Sequence, residues 1–233
     1  MNQYIPHDSL RLAKSRISMT GTAPTAETQY RIEVCGGIAS GKTTATRLFQ
    51  DGKHALVEED FQSNPFWRAF YDDPAGNAFE AELTFLLQHF HQVKNACGEG
   101  KNLVCDFSFL LDRAYTNVTL DSRKRRAFAA VYAEVCRSVP PPTLLVYLSC
   151  PAETQLKRIR ARARAVESAI TIEYLRALNS SLKRWIGRYR KIGAVLEIDS
   201  EAIDFAHDTL GQSLVRKKIM KAIDVRSVRW KPS

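Results

Sequence analysis

The sequence lacks the features that identify membrane, secreted and metal-cluster proteins. No apolar run approaches the ~20 residues that a membrane-spanning helix requires. The first residues do not show the basic-then-apolar order of a secretory signal. The five cysteines form no C-x-x-C pair, so neither a disulfide framework nor a zinc site is indicated. We therefore expect a cytoplasmic protein that does not contact a membrane.

The length indicates one main domain with a tail at each end. A chain of 233 residues can bury a full sheet between helical layers. Residues 1–28 are rich in Ser, Thr, Ala and Pro, and we interpret them as a mobile N-terminal tail. They are also poor in acids, so an organelle transit peptide stays an alternative. We expect the domain at residues 29–222 and a basic C-terminal tail at residues 223–233.

The net charge of +9 is clustered in a few segments of the chain. The basic clusters are residues 123–126, 157–164, 183–191 and 216–231. A positive surface of this kind suits an enzyme that handles phosphates, and it also suits a protein that binds nucleic acid. Composition alone does not separate these two classes.

Short apolar runs alternate with helical patterns along the chain. The strand-like runs are residues 30–35, 55–57, 102–105, 143–148 and 194–198. Amphipathic patterns predict helices at residues 42–50, 75–95, 122–138, 152–165, 172–192 and about 208–222. Strands that alternate with helices form parallel sheets through right-handed crossovers. The pattern predicts a three-layer α/β fold with a five-stranded parallel sheet and helices on both faces.

A phosphate-binding loop follows the first predicted strand. Residues 36–43 match G-x-x-x-x-G-K-[ST], with a strand before and a helix after the motif. Glycine lets the backbone bend so that successive N–H groups point at one phosphate chain, and the start of the helix adds positive potential. Lys42 would reach the β- and γ-phosphates, and Thr43 would hold Mg²⁺. The predicted cofactors are ATP, or another nucleoside triphosphate, and Mg²⁺. The predicted nucleotide-binding residues are Gly36, Gly37, Ile38, Ala39, Ser40, Gly41, Lys42, Thr43 and Thr44.

The segment after the second predicted strand narrows the class of P-loop protein. The chain has no N-K-x-D guanine signature and is too short for a helicase-like core. Residues 59–74 read E-D-F-Q-S-N-P-F-W-R-A-F-Y-D-D-P. This segment resembles the deoxynucleoside kinase family, whose members show E-P-x-x-x-N-P-[FY]-L-x-x-F-Y-x-D-P there. The resemblance extends over about residues 31–206 and implies a P-loop kinase fold with an arginine-rich lid.

The resemblance also implies roles for individual residues on the acceptor side. Glu59 falls where the family has the general base that takes the proton of the nucleoside 5′-hydroxyl. Tyr71 and Glu167 fall where the family holds the 3′-hydroxyl of the sugar. Asp112 matches an acid that contacts the base, and Glu82 occupies the position of a glutamine that reads the base.

Other matched positions lie on the phosphate side. Asp106 falls on the family's acid at the end of the third strand, which helps to hold Mg²⁺ beside Thr43. Arg158, Arg162 and Arg164 fall in the lid that closes over the phosphates. Arginine suits that place because its planar fork offers paired donors to phosphoryl oxygens. With Lys42 and Glu59, these three arginines are the predicted catalytic residues.

The sequence departs from the family pattern around the base and the reacting oxygen. The acid-Arg-Ser triplet of the family reads Asp106-Phe107-Ser108 here, so an arginine is replaced by Phe107. The base-reading glutamine is Glu82, and the arginine seven residues later is His89, which we also count as a substrate-binding residue. Two aromatic positions of the base pocket are Ala81 and Thr116. An ionised glutamate accepts hydrogen bonds only, so these changes predict an altered base preference.

Three functions stay open at this point. The first is an ATP-dependent kinase for the 5′-hydroxyl of a deoxynucleoside or nucleoside-like small molecule. The second is a kinase of the same build that acts on a nucleoside monophosphate or on a hydroxyl of nucleic acid. The third is a nucleotide-binding, catalytically weak relative that serves as a subunit or regulator. A homodimer is compatible with each of them.

Overall fold

The computed structural model describes residues 30–97 and 101–227. The predicted N-terminal tail and the last six residues lie outside this part of the chain. The proposed domain boundaries therefore stay predictions. Within the described residues, no helix is both long enough and apolar enough to cross a membrane.

Five parallel strands form one sheet, as predicted. They are β1 (Arg31–Cys35), β2 (His54–Val57), β3 (Asn102–Cys105), β4 (Leu144–Ser149) and β5 (Val195–Asp199). The strand order is β2-β3-β1-β4-β5. In the central strand, Ile32 pairs with Val104 of β3 on one side and with Leu144 of β4 on the other. Because consecutive strands are not neighbours throughout, the helices must cross over the sheet.

Eight helices connect and cover the strands of the described chain. They are α1 (Lys42–Arg47), α2 (Trp67–Asp72), α3 (Pro74–Ala96), α4 (Phe109–Thr119), α5 (Ser122–Ser138), α6 (Ala152–Arg162), α7 (Ile172–Tyr189) and α8 (Thr209–Ser227). Short 3₁₀ turns occur at Phe61–Ser63 and Ala165–Glu167.

Alternate side chains of the central strands pack on opposite faces of the sheet. Val146 of β4 belongs to a core that also contains Phe49 after α1 and Val215 of α8. Its neighbour Leu145 packs with Leu182 of α7 on the other face. Successive strand residues point to opposite faces, so a sheet buried on both sides needs apolar residues at every position. The three-layer prediction is confirmed.

Two helices were not predicted, and several helix ends differ. The sequence pattern gave no element for α2 or α4. Helix α6 ends at Arg162 rather than at residue 165, because Ala163 has a left-handed backbone with φ 50°. Helix α8 continues to Ser227, five residues past its predicted end, and Ile223 is buried in the core. Helix α4 matters most for function because it carries Asp112 into the centre of the molecule.

Candidate active site

A cavity of about 1080 Å³ opens at the carboxyl ends of the parallel strands. The phosphate loop follows β1, Glu59 follows β2, and Asp106 follows β3. Ligands of open α/β sheets bind at this edge, because loops from several strands converge there. The predicted site residues that line the cavity are Ile38, Ala39, Ser40, Gly41, Lys42, Thr43, Thr44, Glu59, Tyr71, Glu82, Asp106, Asp112, Arg158, Arg162, Arg164 and Glu167. Residues from four distant segments of the sequence are thus brought together.

The phosphate loop has the tight geometry that its glycines predict. Gly41, at the start of α1, has φ 96°, and a Cβ there would approach the Phe205 ring to 3.0 Å. Gly36 and Gly37 do not line the cavity. They lie behind the loop, where a Cβ on Gly36 would collide with the Ser40 hydroxyl. These two glycines therefore shape the loop, and residues 38–44 present it to the cavity.

Thr43 and Asp106 form the predicted metal-binding pair. The Thr43 hydroxyl donates to Asp106 Oδ2 at 2.6 Å, and Asp106 Oδ1 is buried without a hydrogen-bond partner. Burial raises the pKa of Asp106 to about 6, against the opposing effect of Lys42. Within the described ranges no cluster of three or more His, Cys, Asp or Glu side chains could hold a metal. Mg²⁺ fits this site because it binds through one or two protein oxygens and completes its shell with phosphates and water.

The predicted base Glu59 lies beside a buried histidine. His89 Nε2 is 3.7 Å from Glu59 Oε1, and His89 Nδ1 is 3.0 Å from Asp112 Oδ2. Burial alone would raise the pKa of Glu59, but His89 and Lys42 lower it below its usual value. Burial alone would lower the pKa of His89, because it disfavours the charged ring. Asp112 and Glu59 outweigh this effect and raise the pKa of His89 to about 10. Glu59 is therefore ionised at neutral pH, as a general base requires.

His89 does not line the cavity, which changes the role predicted for it. Its side chain is 2% exposed and lies behind Glu59 and Asp112. The Phe107 ring stacks on the His89 ring with centroids 3.9 Å apart and planes 7° from parallel. His89 thus contacts side chains predicted to meet the acceptor and is shielded from the acceptor itself.

Glu82 reaches the cavity from α3 as a buried carboxyl group. Its side chain is buried, and Thr119 of α4 donates to its Oε1 at 3.2 Å. Burial and the neighbouring Asp112 carboxylate raise the pKa of Glu82 well above 4.5. A neutral carboxylic acid offers one O–H donor and one carbonyl acceptor. Burial therefore favours the protonated form of Glu82, which has a donor and an acceptor, whereas the sequence reasoning assumed the ionised form.

The predicted sugar and lid residues meet at one place. Arg162 donates to both carboxylate oxygens of the buried Glu167, at 2.7 and 2.6 Å. Arg164 lies 3.5 Å from the same carboxylate, and its guanidinium stacks on the Phe61 ring at 4.8 Å. Burial raises the pKa of Tyr71 above its ordinary value, so its hydroxyl stays protonated and can donate a hydrogen bond.

Arg158 connects the phosphate loop with the segment after β5. Its Nη1 donates to the Ala39 carbonyl at 3.3 Å, and its Nη2 donates to the Ser200 carbonyl at 2.6 Å. The guanidinium also lines the cavity. In this arrangement Arg158 holds two walls of the nucleotide side together.

Several lining residues were missed by the sequence reasoning. The acceptor side is walled by Trp67, Phe85 and Tyr115, and Trp67 packs edge-on against Tyr71 with centroids 6.0 Å apart. Ala81 and Thr116 stand where the family pattern has two aromatic residues of the base pocket. Ala81 lines the cavity, whereas Thr116 is buried behind it. The aromatic spacing in residues 61–71 was the available signal for the Trp67 wall. The loop at residues 200–207 closes the other end of the cavity, beside the phosphate loop.

Comparisons with known proteins identify the family of the chain. Residues 32–225 match the family model described as deoxynucleoside kinase. A deoxyguanosine kinase of Bacillus subtilis is 26% identical over 182 residues, which cover 75% of this chain and 88% of that protein. A deoxyadenosine kinase of Dictyostelium discoideum is 24% identical over 180 residues, which cover 74% of each chain. A deoxyadenosine kinase structure from M. mycoides with bound dCTP superposes with a TM-score of 0.69 at 21% identity, covering 82% of this chain and 99% of that one.

Proposed function

The chain belongs to the deoxynucleoside kinase family and is a kinase, and we propose that it transfers the γ-phosphate of a nucleoside triphosphate to the 5′-hydroxyl of a deoxynucleoside. One observation carries this proposal. A single cavity holds the phosphate loop at one end and the ionised Glu59 carboxylate, with the Tyr71 and Glu167 side chains, at the other. The solved M. mycoides relatives contain dCTP or dATP, which supports a nucleoside triphosphate as a ligand of this fold.

The donor nucleotide would bind at the phosphate loop. Residues 38–44 line the cavity there, and Lys42 with free backbone N–H groups of this loop would neutralise a phosphate chain. Thr43 and Asp106 would hold Mg²⁺, which neutralises charge on the β- and γ-phosphates when it is bound. Arg162 and Arg164 would contact the transferring phosphoryl group from the lid, since both guanidinium groups line the cavity.

The acceptor would bind between Glu59 and the aromatic walls. Glu59 accepts the proton of the 5′-hydroxyl as that oxygen attacks the γ-phosphorus, and the nucleoside diphosphate leaves. Tyr71 and Glu167 would hold the sugar, because one hydroxyl and one carboxylate can donate to and accept from a 3′-hydroxyl. The phosphate passes directly between the two substrates, and water could intercept it by hydrolysis. The aromatic walls would therefore exclude water from the acceptor side.

An altered base preference belongs to this proposal. Glu82 and Asp112 provide the polar edge of the acceptor pocket, and Ala81 leaves space where the family pattern has an aromatic ring. When protonated, Glu82 would offer a donor beside an acceptor, a pair that can meet a donor and an acceptor on the Watson–Crick edge of adenine or of guanine. The extra space beside Ala81 would favour these larger purine bases. Homodimer formation stays a prediction.

A radiolabel transfer assay tests this function. The protein is incubated with Mg²⁺, [γ-³²P]ATP and each of four deoxynucleosides, four deoxynucleoside monophosphates and a single-stranded oligonucleotide. The proposal predicts labelled deoxynucleoside 5′-monophosphate, with the purine deoxynucleosides preferred over the pyrimidine ones. Label that appears only on the monophosphates or on the oligonucleotide would overturn it.

A further inference from the structure

Two departures from the family pattern, Phe107 and His89, are in direct contact. Their rings lie 3.9 Å apart and within 7° of parallel, and their side chains are 0% and 2% exposed. Phe85 flanks the imidazole, with ring centroids 6.0 Å apart and planes at 28°. A buried ring stacked in this way is fixed in its plane. The directions of the two imidazole nitrogens are therefore set by packing.

Both nitrogens of that fixed ring face carboxylates. Nδ1 is 3.0 Å from Asp112 Oδ2, within hydrogen-bond distance. Nε2 is buried without a hydrogen-bond partner and lies 3.7 Å from Glu59 Oε1. A neutral imidazole donates from one nitrogen only, whereas the protonated ring donates from both. A shift of Glu59 by about 0.5 Å would complete the second bond.

The charges around His89 all favour the protonated ring. Glu59 faces it from the loop after β2 and Asp112 faces it from α4, whereas the buried Glu82 on α3 itself has a raised pKa and is less charged. Within the described part of the chain, Glu59 forms its ion pair with His89. The positive charge beside the base thus comes from this imidazole, with contributions from Lys42 and Arg164.

We propose that His89 is a positioning residue, clamped between Asp112 and Glu59, that keeps the Glu59 carboxylate ionised and directed at the acceptor hydroxyl. Phe107 acts with it as the wall that fixes the imidazole plane. The two departures from the family pattern are therefore one coupled change. This inference rests on the proposed role of Glu59 and adds the residues that support that role.

The test compares His89→Gln with His91→Gln in the deoxynucleoside kinase assay. His91 is exposed on the same helix and bonds to Asn95, so His91→Gln should behave as the wild type. His89→Gln should lower kcat by about 10-fold or more, a part of the ~10²–10⁴ supplied by general base catalysis, at an unchanged KM for ATP. The acid limb of kcat/KM should move to higher pH by about one unit or more, because an adjacent positive charge is lost. Phe107→Leu should also lower kcat and move the acid limb of kcat/KM to higher pH, but by smaller amounts than His89→Gln.

A second measurement keeps the inference testable if the His89 variant does not fold. In the wild type, ¹⁵N NMR of the five histidine rings, assigned by single substitutions of the other four, should show His89 doubly protonated at pH 8. A neutral His89 ring at that pH, or a His89→Gln variant with wild-type kcat and acid limb, overturns the inference. Full activity of Glu59→Gln would remove the base role on which the inference rests. The proposed function itself fails only if the wild type transfers no phosphate to deoxynucleosides, so the failures are distinguishable.

Discussion

Arg162 and Glu167 form a two-point salt bridge five residues apart, with distances of 2.7 and 2.6 Å. The family resemblance assigns Arg162 to the phosphates and Glu167 to the sugar. The bridge joins the end of α6 to the following 3₁₀ turn, and we propose that it couples closure over the phosphates to contact with the sugar. An acceptor that engages Glu167 would thereby help to place the lid arginine.

The first prediction follows from that link. Arg162→Gln should lower kcat by ~10², the scale for removing one donor that stabilises transition-state charge. It should also raise KM for the deoxynucleoside, because Glu167 loses its two-point partner. Arg160→Gln is the matched control, since Arg160 is exposed on the same helix and does not line the cavity. Equal kinetics of the two variants would remove Arg162 from the site.

The second prediction concerns the phosphate loop. Lys42→Ala should fold normally and lose thermal stabilisation by ATP. In the wild type, ATP at a hundredfold excess over its Kd should add ~2.7 kcal/mol to the free energy of unfolding. Differential scanning fluorimetry measures both proteins, with Lys53→Ala, an exposed lysine outside the cavity, as the control. A normal ATP-induced shift in Lys42→Ala would refute the assignment.

The third prediction concerns the metal. If Thr43 and Asp106 hold Mg²⁺, Asp106→Asn should remove one anionic ligand and most of the Mg²⁺-dependent gain in ATP affinity. Isothermal titration with ATP in Mg²⁺ and in EDTA measures that gain. Asp72→Asn, at the exposed end of α2, should keep the wild-type difference. A Mg²⁺ effect unchanged by Asp106→Asn would place the metal elsewhere.

The fourth prediction uses the raised pKa of Glu82. In the unfolded chain this carboxyl ionises near 4.5, whereas the folded protein holds the proton to higher pH. Proton release on unfolding therefore lowers the stability of the wild type as pH rises above 4.5. Glu82→Gln lacks this titration, so its Tm should increase relative to the wild type as pH rises. Glu80 is exposed on the same helix, so Glu80→Gln should show no such trend. If the Tm difference between Glu82→Gln and the wild type does not change with pH, Glu82 is ionised in the folded protein.

The strand ends were predictable from local patterns, and the residues there came from a motif and from the family resemblance. The phosphate loop is a contiguous motif, whereas Glu59 and Asp106 were assigned through the resemblance, each just after an apolar strand. Since parallel strands end at the same edge of a sheet, these residues had to converge there. The five strands were found for the same reason, because each is a short apolar run.

The packing behind the site could not be predicted in this way. Glu82 and His89 are seven residues apart and share a helix face, yet His89 lies about 10.5 Å farther along α3 and misses the cavity. Its stack on Phe107 is a tertiary contact between α3 and the segment after β3. Helix α4 was missed because its first turn, Phe109-Leu110-Leu111, is uniformly apolar and lacks helical periodicity.

The rate of phosphoryl transfer in Glu59→Gln tests the central claim most directly. Glutamine preserves the shape of the side chain but cannot take the proton of the acceptor hydroxyl. Under single-turnover conditions the rate should fall by ~10²–10⁴, while deoxynucleoside and ATP affinities stay near those of the wild type. Glu58→Gln, whose carboxylate bonds Arg47 at the exposed rim, should keep the wild-type rate. A Glu59→Gln protein that transfers phosphate at the wild-type rate would contradict the account.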